Sequence, residues 1–105
     1  MRIDFHRQFE KQFARLAASE KLRARKRFLL FSQNPRSPIL RNHALKGKFI
    51  GYHSINIGGD TRAIFKIKTA THVEFVTIGT HSQLYKYLKW KKSISKKISR
   101  SSMVR

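Results

Sequence analysis

A change of hydrophobic period near residue 51 does most to restrict what this chain can become. From Tyr52 onward the alternation has a period of two. Tyr52, Ser54 and Asn56 fall on one side of a strand, and His53, Ile55 and Ile57 on the other. Gly58-Gly59-Asp60 is a hairpin turn signal. TRAIFKIK then sets Arg62, Ile64 and Lys66 against Ala63, Phe65 and Ile67, and THVEFVTIG makes a third strand. The short connection around Thr69 to Thr71 implies antiparallel neighbours.

Before residue 51 the pattern is helical. Phe9, Phe13 and Leu16 fall at i, i+4 and i+7 on one face. Ser19 and Glu20 suit the N-cap and first turn of a second helix bearing Leu22, Phe28, Leu29 and Leu30, and Asn34-Pro35 ends it. RIDF at 2–5 predicts a short edge strand, NPRSP at 34–38 a linker, and ILRNHALKGKFIG at 39–51 a loop. Residues 82–92 continue as a short helix with Leu84, Tyr87, Leu88 and Trp90, the tryptophan packing against the body. The expected fold class is α+β: an N-terminal helical hairpin packed on one face of a small antiparallel sheet, followed by a short C-terminal helix. Residues 1–92 are expected to form one domain, with a basic, fraying tail at 93–105.

Charge narrows the partners. Lysine and arginine number 24 against five acidic residues, a formal net charge of +19. Such self-repulsion destabilises a compact state, and a polyanion relieves it, with nucleic acid first in order. The chain has no cysteine, which excludes disulfides and thiolate metal sites and fits a reducing cytoplasm. The N-terminal stretch has no apolar signal-peptide core, and no apolar run is long enough to span a bilayer. A zinc site fails for want of cysteine and of a close histidine pair. Neither a membrane nor a metal is expected.

A meander places the start of one strand beside the end of the next. Asp60 to Arg62 and His81 therefore belong at one sheet edge, within reach of the loop that carries His43. This yields a candidate cluster of His43, Asp60, Arg62, His81 and Tyr85 in a strongly positive chain.

The same residues carry a family resemblance. NHALKG at 42–47, GYHSINIGGDTRAIF at 51–65 and TIGTHSQLY at 77–85 resemble the RelE/ParE toxin superfamily, specifically its YafQ-like branch. The resemblance implies a helical hairpin on a small antiparallel sheet. It implies a messenger-RNA-cleaving toxin of a type II toxin–antitoxin module, acting at the ribosome and silenced by an acidic antitoxin. Residue by residue, His43 matches the loop histidine, Asp60 the acidic position, His81 the histidine after the last strand and Tyr85 the nearby aromatic. Arg62 matches the strand arginine of the wider RelE branch. Two positions depart from the YafQ-like pattern: Asn56 stands where it has histidine, and Thr61 where it often has tryptophan. Asn56 can bond a phosphate or base but cannot move a proton. His53 lies on the opposite strand face and could compensate only if a bulge re-aimed it.

RNA carries its own nucleophile, the 2′-OH, so cleavage needs a base, an acid and charge stabilisation, with no metal. Histidine suits the first two roles near neutral pH. His81 is expected to be the acid and His43 or Asp60 the base. Arg62 is expected to hold the phosphate, Lys46 and Lys48 to add to the field, and Tyr85 to stack on a base. The product would be a 2′,3′-cyclic phosphate or its hydrolysed 3′-phosphate. The alternative is a non-catalytic protein of the same fold, a gyrase-inhibiting toxin or a basic RNA- or ribosome-binding protein. His53 and His72 are expected to be structural or exposed, His6 to be uninformative, and Arg23 to Arg27 to form a solvated face able to meet ribosomal RNA.

Overall fold

The computed structural model describes residues 1–86, apart from the side chain of Lys48. The expectations for Tyr87, Leu88, Trp90 and the tail fall on residues outside those described.

Strand β1 (Arg2–Phe5) leads into helix α1 (Arg7–Ala14) and helix α2 (Ala18–Gln33). Short 3₁₀ turns at Pro38–Leu40 and Gly47–Phe49 flank the two-residue strand β2 (His43–Ala44). Strands β3 (Tyr52–Gly58), β4 (Thr61–Thr69) and β5 (His72–Thr80) form the expected meander. Residues 81–86 are helical. The sheet order is β1-β5-β4-β3-β2.

The sheet is mixed rather than antiparallel throughout. β1 pairs parallel with β5, Ile3 beside Val73 and Phe5 beside Phe75, whereas the other three pairings are antiparallel. Two helices separate β1 from the meander, which gives the chain the crossover length that a parallel neighbour requires. The segment read as loop at 39–51 contributes β2, paired with β3 as His43 to Ser54 and Ala44 to His53.

The helix starts have different chemistry from that expected. α1 is capped by His6, whose Nδ1 accepts the Gln8 N–H at 3.0 Å. That histidine therefore has a local role. The N-cap of α2 is Ala17 rather than Ser19, and Glu20 reaches back to accept the Ala17 N–H at 3.4 Å. A carboxylate over the first turn compensates for a cap residue with no oxygen of its own. α2 ends at Gln33, before Asn34-Pro35, as the proline dictates.

The hairpin packs on one sheet face through an aromatic core. Phe75 is fully buried, and its ring centroid lies 5.0–5.9 Å from those of Phe5, Phe9, Phe28, Phe31 and Phe65. β5 carries one extra residue, Val76, between the pairs Phe65–Phe75 and Ile64–Thr77. Gln12 of α1 serves this irregular stretch, its Oε1 accepting both the Thr77 hydroxyl at 2.9 Å and the Ile78 N–H at 3.0 Å. The opposite sheet face carries a second cluster of Phe49, Tyr52, Ile64, Val76 and Leu84. The loop before β3 and the 81–86 helix roof this face, and between them they leave a cavity.

Candidate functional site

Each wall of that cavity comes from an element whose local chemistry aims a side chain inward. Arg62 on β4 pairs across to Gly79 on β5 and Asn56 on β3. Gly79 has no side chain, and the space its Cβ would fill is taken by Gln83. Ser54 stands opposite Ile64 on β4 and opposite His43 on β2, which puts the serine hydroxyl and the His43 ring on the same face. The cavity measures about 350 Å³, and His43, Ser54, Arg62, His81 and Tyr85 line it together with Arg41.

His81 is placed by a reciprocal cap. The Thr80 N–H donates to Gln83 Oε1 at 2.9 Å, and the Gln83 N–H donates to Thr80 Oγ1 at 3.4 Å. This Thr-x-x-Gln box stops β5 and starts the helix one residue later, at His81. Gly79 allows it, since a Cβ there would lie 2.7 Å from Gln83 Oε1. One helical turn on, the Tyr85 ring meets His81 edge-on at 4.5 Å between centroids and Phe49 at 5.4 Å, and the tyrosine remains 48% exposed. An aromatic held on two sides and half exposed has the geometry on which a planar base could stack.

His43 is oriented by the main chain. Its Nδ1 lies 2.8 Å from the Arg41 carbonyl oxygen. A carbonyl only accepts, so Nδ1 carries the hydrogen, and the neutral ring keeps its lone pair on Nε2. Arg41 turns the chain into β2 with a left-handed φ of 47°, unusual for a residue with a side chain.

Among the described residues, two side-chain polar atoms are buried without a hydrogen-bond partner: Ser54 Oγ and Arg62 Nε. Both residues line this cavity, and Ser54 is only 2% exposed. Buried donors left unbonded are costly and uncommon in folded proteins. Two converging on one cavity, with two arginines, two histidines and no carboxylate among the described lining residues, have chemistry that suits an anion with hydrogen-bonding oxygens.

The structure thus brings together His43, Arg62, His81 and Tyr85. Asp60 lies exposed in the β3–β4 turn and is absent from the lining. Lys46 is exposed ahead of the Gly47–Phe49 turn and does not line the cavity, and the Lys48 side chain is outside the described atoms. Asn56 shares a row with Arg62, but its Oδ1 accepts the Gly58 N–H at 2.6 Å and so shapes the turn. His53 is not re-aimed, because the β3 irregularity comes later, between Asn56 and Gly58. Its ring stacks on Phe65 at 5.2 Å and 20°, on the helix side of the sheet. Burial pushes its pKa down, and nearby His43 adds to the effect. Among residues not anticipated, Ser54, Arg41 and Phe49 matter most. The inward alternation of Ser54 between Tyr52 and Asn56, together with the Thr80-x-x-Gln83 spacing, was the available signal.

Among the described residues no group of three His, Cys, Asp or Glu side chains is placed to hold a metal ion, and no helix is long and apolar enough to cross a membrane.

Comparison with known proteins gives a consistent likeness. A family model described as a bacterial toxin of type II toxin–antitoxin system, YafQ, matches residues 1–86. The crystal structure of YafQ from E. coli strain BL21(DE3) superposes with a TM-score of 0.68 at 23% identity, covering 81% of this chain and 99% of that one. YafQ in the E. coli DinJ–YafQ complex gives 0.61 at 26% identity over 81% and 99%. A copper-bound mutant toxin from Helicobacter pylori gives 0.63 at 22% identity over 80% and 98%. No curated protein matches the chain.

Proposed function

The chain belongs to the YafQ family of bacterial type II toxin–antitoxin toxins, and on that footing we propose that it is a ribosome-dependent endoribonuclease that cuts messenger RNA without a metal ion. The observation that carries the reading is the pair of unbonded buried groups, Ser54 Oγ and Arg62 Nε, in the cavity that His43, His81 and Tyr85 also line. A scissile phosphate supplies the oxygens these groups lack.

In the proposed step, His43 Nε2 takes the proton of the RNA 2′-OH. The 2′-oxygen attacks the adjacent phosphorus as the bond to the 5′-oxygen breaks. Protonated His81 gives its proton to that leaving oxygen, and the products are a 2′,3′-cyclic phosphate and a 5′-hydroxyl. Arg62 holds the phosphate oxygens as charge builds, where charge-assisted bonds strengthen most. Tyr85 stacks on a base beside His81. We assign the base to His43 over Asp60, because His43 lines the cavity with a free acceptor nitrogen and Asp60 does not line it. A net charge of +19 favours attraction to ribosomal RNA and to an acidic antitoxin, and the E. coli relative is solved bound to DinJ. Action in the cytoplasm follows from a messenger-RNA substrate.

The test is induction in a bacterial host with primer extension on a reporter message. Wild-type protein arrests growth and leaves discrete cuts. His81→Ala lowers cutting by about 10²–10⁴-fold, the usual size of lost proton transfer. A folded His81→Ala variant that arrests growth undiminished overturns the assignment. RNA binding with no cuts from the wild type would favour the non-catalytic alternative, to which Asn56 at a position expected to hold histidine lends some support.

A further inference from the structure

A second cavity, larger than the one just described, lies nearby. A hollow of about 660 Å³ lies on the helix side of the sheet edge, lined by Arg36, Arg41, His43, His53, Phe65 and Ala70 among others. His43 and Arg41 line both cavities, so the wall between them is the chain from Arg41 into the two-residue strand β2. The floor is apolar, with Phe31, Phe65 and Val73, and the His53 ring lies flat on Phe65. The rim is cationic through Arg36 and Arg41, both exposed, and no carboxylate appears among the described lining residues. An apolar floor with a planar ring, a positive rim and ligand-sized volume has the chemistry of a nucleotide site, the base inside and the phosphate at the mouth.

We propose that this second cavity binds the RNA nucleotide on the 5′ side of the cut, making the site a two-nucleotide saddle astride β2. The proposal rests on the nuclease reading, which sets the strand direction. His43, as base, addresses the 2′-OH, which belongs to the nucleotide 5′ of the scissile phosphate. His81, as acid, addresses the 5′-oxygen of the nucleotide on the 3′ side, where Tyr85 stands 4.5 Å away. The base 3′ of the cut therefore stacks on Tyr85, and the base 5′ of it passes over His43 into the hollow. The two cavities then read neighbouring bases independently.

The test has a binding arm and a cutting arm. A 2′-O-methyl trinucleotide, which cannot be cleaved, is titrated into isotope-labelled wild-type protein. Amide resonances of Asn42, Ala44, Thr69 and Ala70 shift together with those of Arg62 and Tyr85. Shifts confined to the Arg62 and Tyr85 side, or no shifts at all, overturn the second subsite. For cutting, Ala70→Trp fills the hollow from an exposed turn position, and thermal melting checks its fold. It weakens cutting about tenfold, the size of one lost base stack. It also changes the base distribution 5′ of the mapped cuts and leaves the 3′ distribution alone, whereas Tyr85→Ala does the converse. An unchanged 5′ distribution in Ala70→Trp overturns the proposal. A wild type that shifts both sets of amides but cuts no RNA discards the nuclease reading and keeps the two-cavity binding site.

Discussion

Ser54 is a hydroxyl buried where no described residue bonds it, opposite His43 and Ile64, which also line the cavity. A buried unbonded hydroxyl costs about 1–3 kcal/mol, so replacing it with a methyl group removes a penalty. Ser54→Ala is therefore expected to raise the unfolding free energy by about 1 kcal/mol in urea titration while weakening RNA binding. A variant that loses stability instead would show that the hydroxyl has a partner in the free protein. The residues that could be foreseen were those whose chemistry is distinctive by type: two imidazoles, an arginine and an aromatic. Ser54 was hidden because a serine in an alternating strand looks like any outward polar residue until the opposite face is known to be roofed. Asp60 was misleading for the opposite reason. It lies close in sequence to Arg62, but a turn residue aims its side chain by turn geometry, and this one faces solvent.

At the scale of elements, the Thr80–Gln83 box ends a strand, starts a helix and sets the His81 ring. Thr80→Ala or Gln83→Ala removes half of the reciprocal cap and is expected to cost about 0.5–2 kcal/mol. Because His81 is the first residue beyond the cap, both variants should also cut RNA more slowly than an equally destabilised variant elsewhere, such as a trimmed core residue. Rates and melting temperatures measured on the same samples decide this. Equal loss in both comparisons would reduce the box to a stability device. The meander, the helical hairpin and its proline stop were legible because each spans enough residues for a period to emerge. β2 was not, since two residues show no period, and the parallel placement of β1 depends on where the two intervening helices return the chain. The start of α2 shifted from Ser19 to Ala17 because Glu20 satisfies the end from inside the first turn.

Over the whole molecule, charge and proton binding act in one direction. The His53 ring is held below its ordinary pKa near 6.5 by burial and by His43. The Asp4 carboxyl is held below its ordinary range chiefly by the hydrogen bond from His72, at 2.8 Å, with Arg2 adding and burial opposing. In both cases the unfolded chain takes up a proton more readily than the folded one, so acidification favours unfolding. The His53 contribution is complete above about pH 6.5 and is lost as pH falls through the lowered folded value; the Asp4 contribution is lost only below about pH 4. Added protons also enlarge a net charge already at +19. The melting temperature is expected to fall between pH 7.5 and pH 5, and to fall less in His53→Gln. An equal fall in that variant would assign the effect to general repulsion. The aromatic core opposes these losses, with five phenylalanine rings packed around Phe75.

The oxygen that anchors the His43 ring belongs to the peptide backbone of Arg41, not to its side chain. No change of side chain at that position can sever the anchor directly. Glycine there would strip a cation from both hollows, suit the left-handed bend, and leave the imidazole facing as before. In the proposed nuclease, grip on the ribose-phosphate strand and readiness to abstract a proton would thus be wired separately, although one residue would serve both.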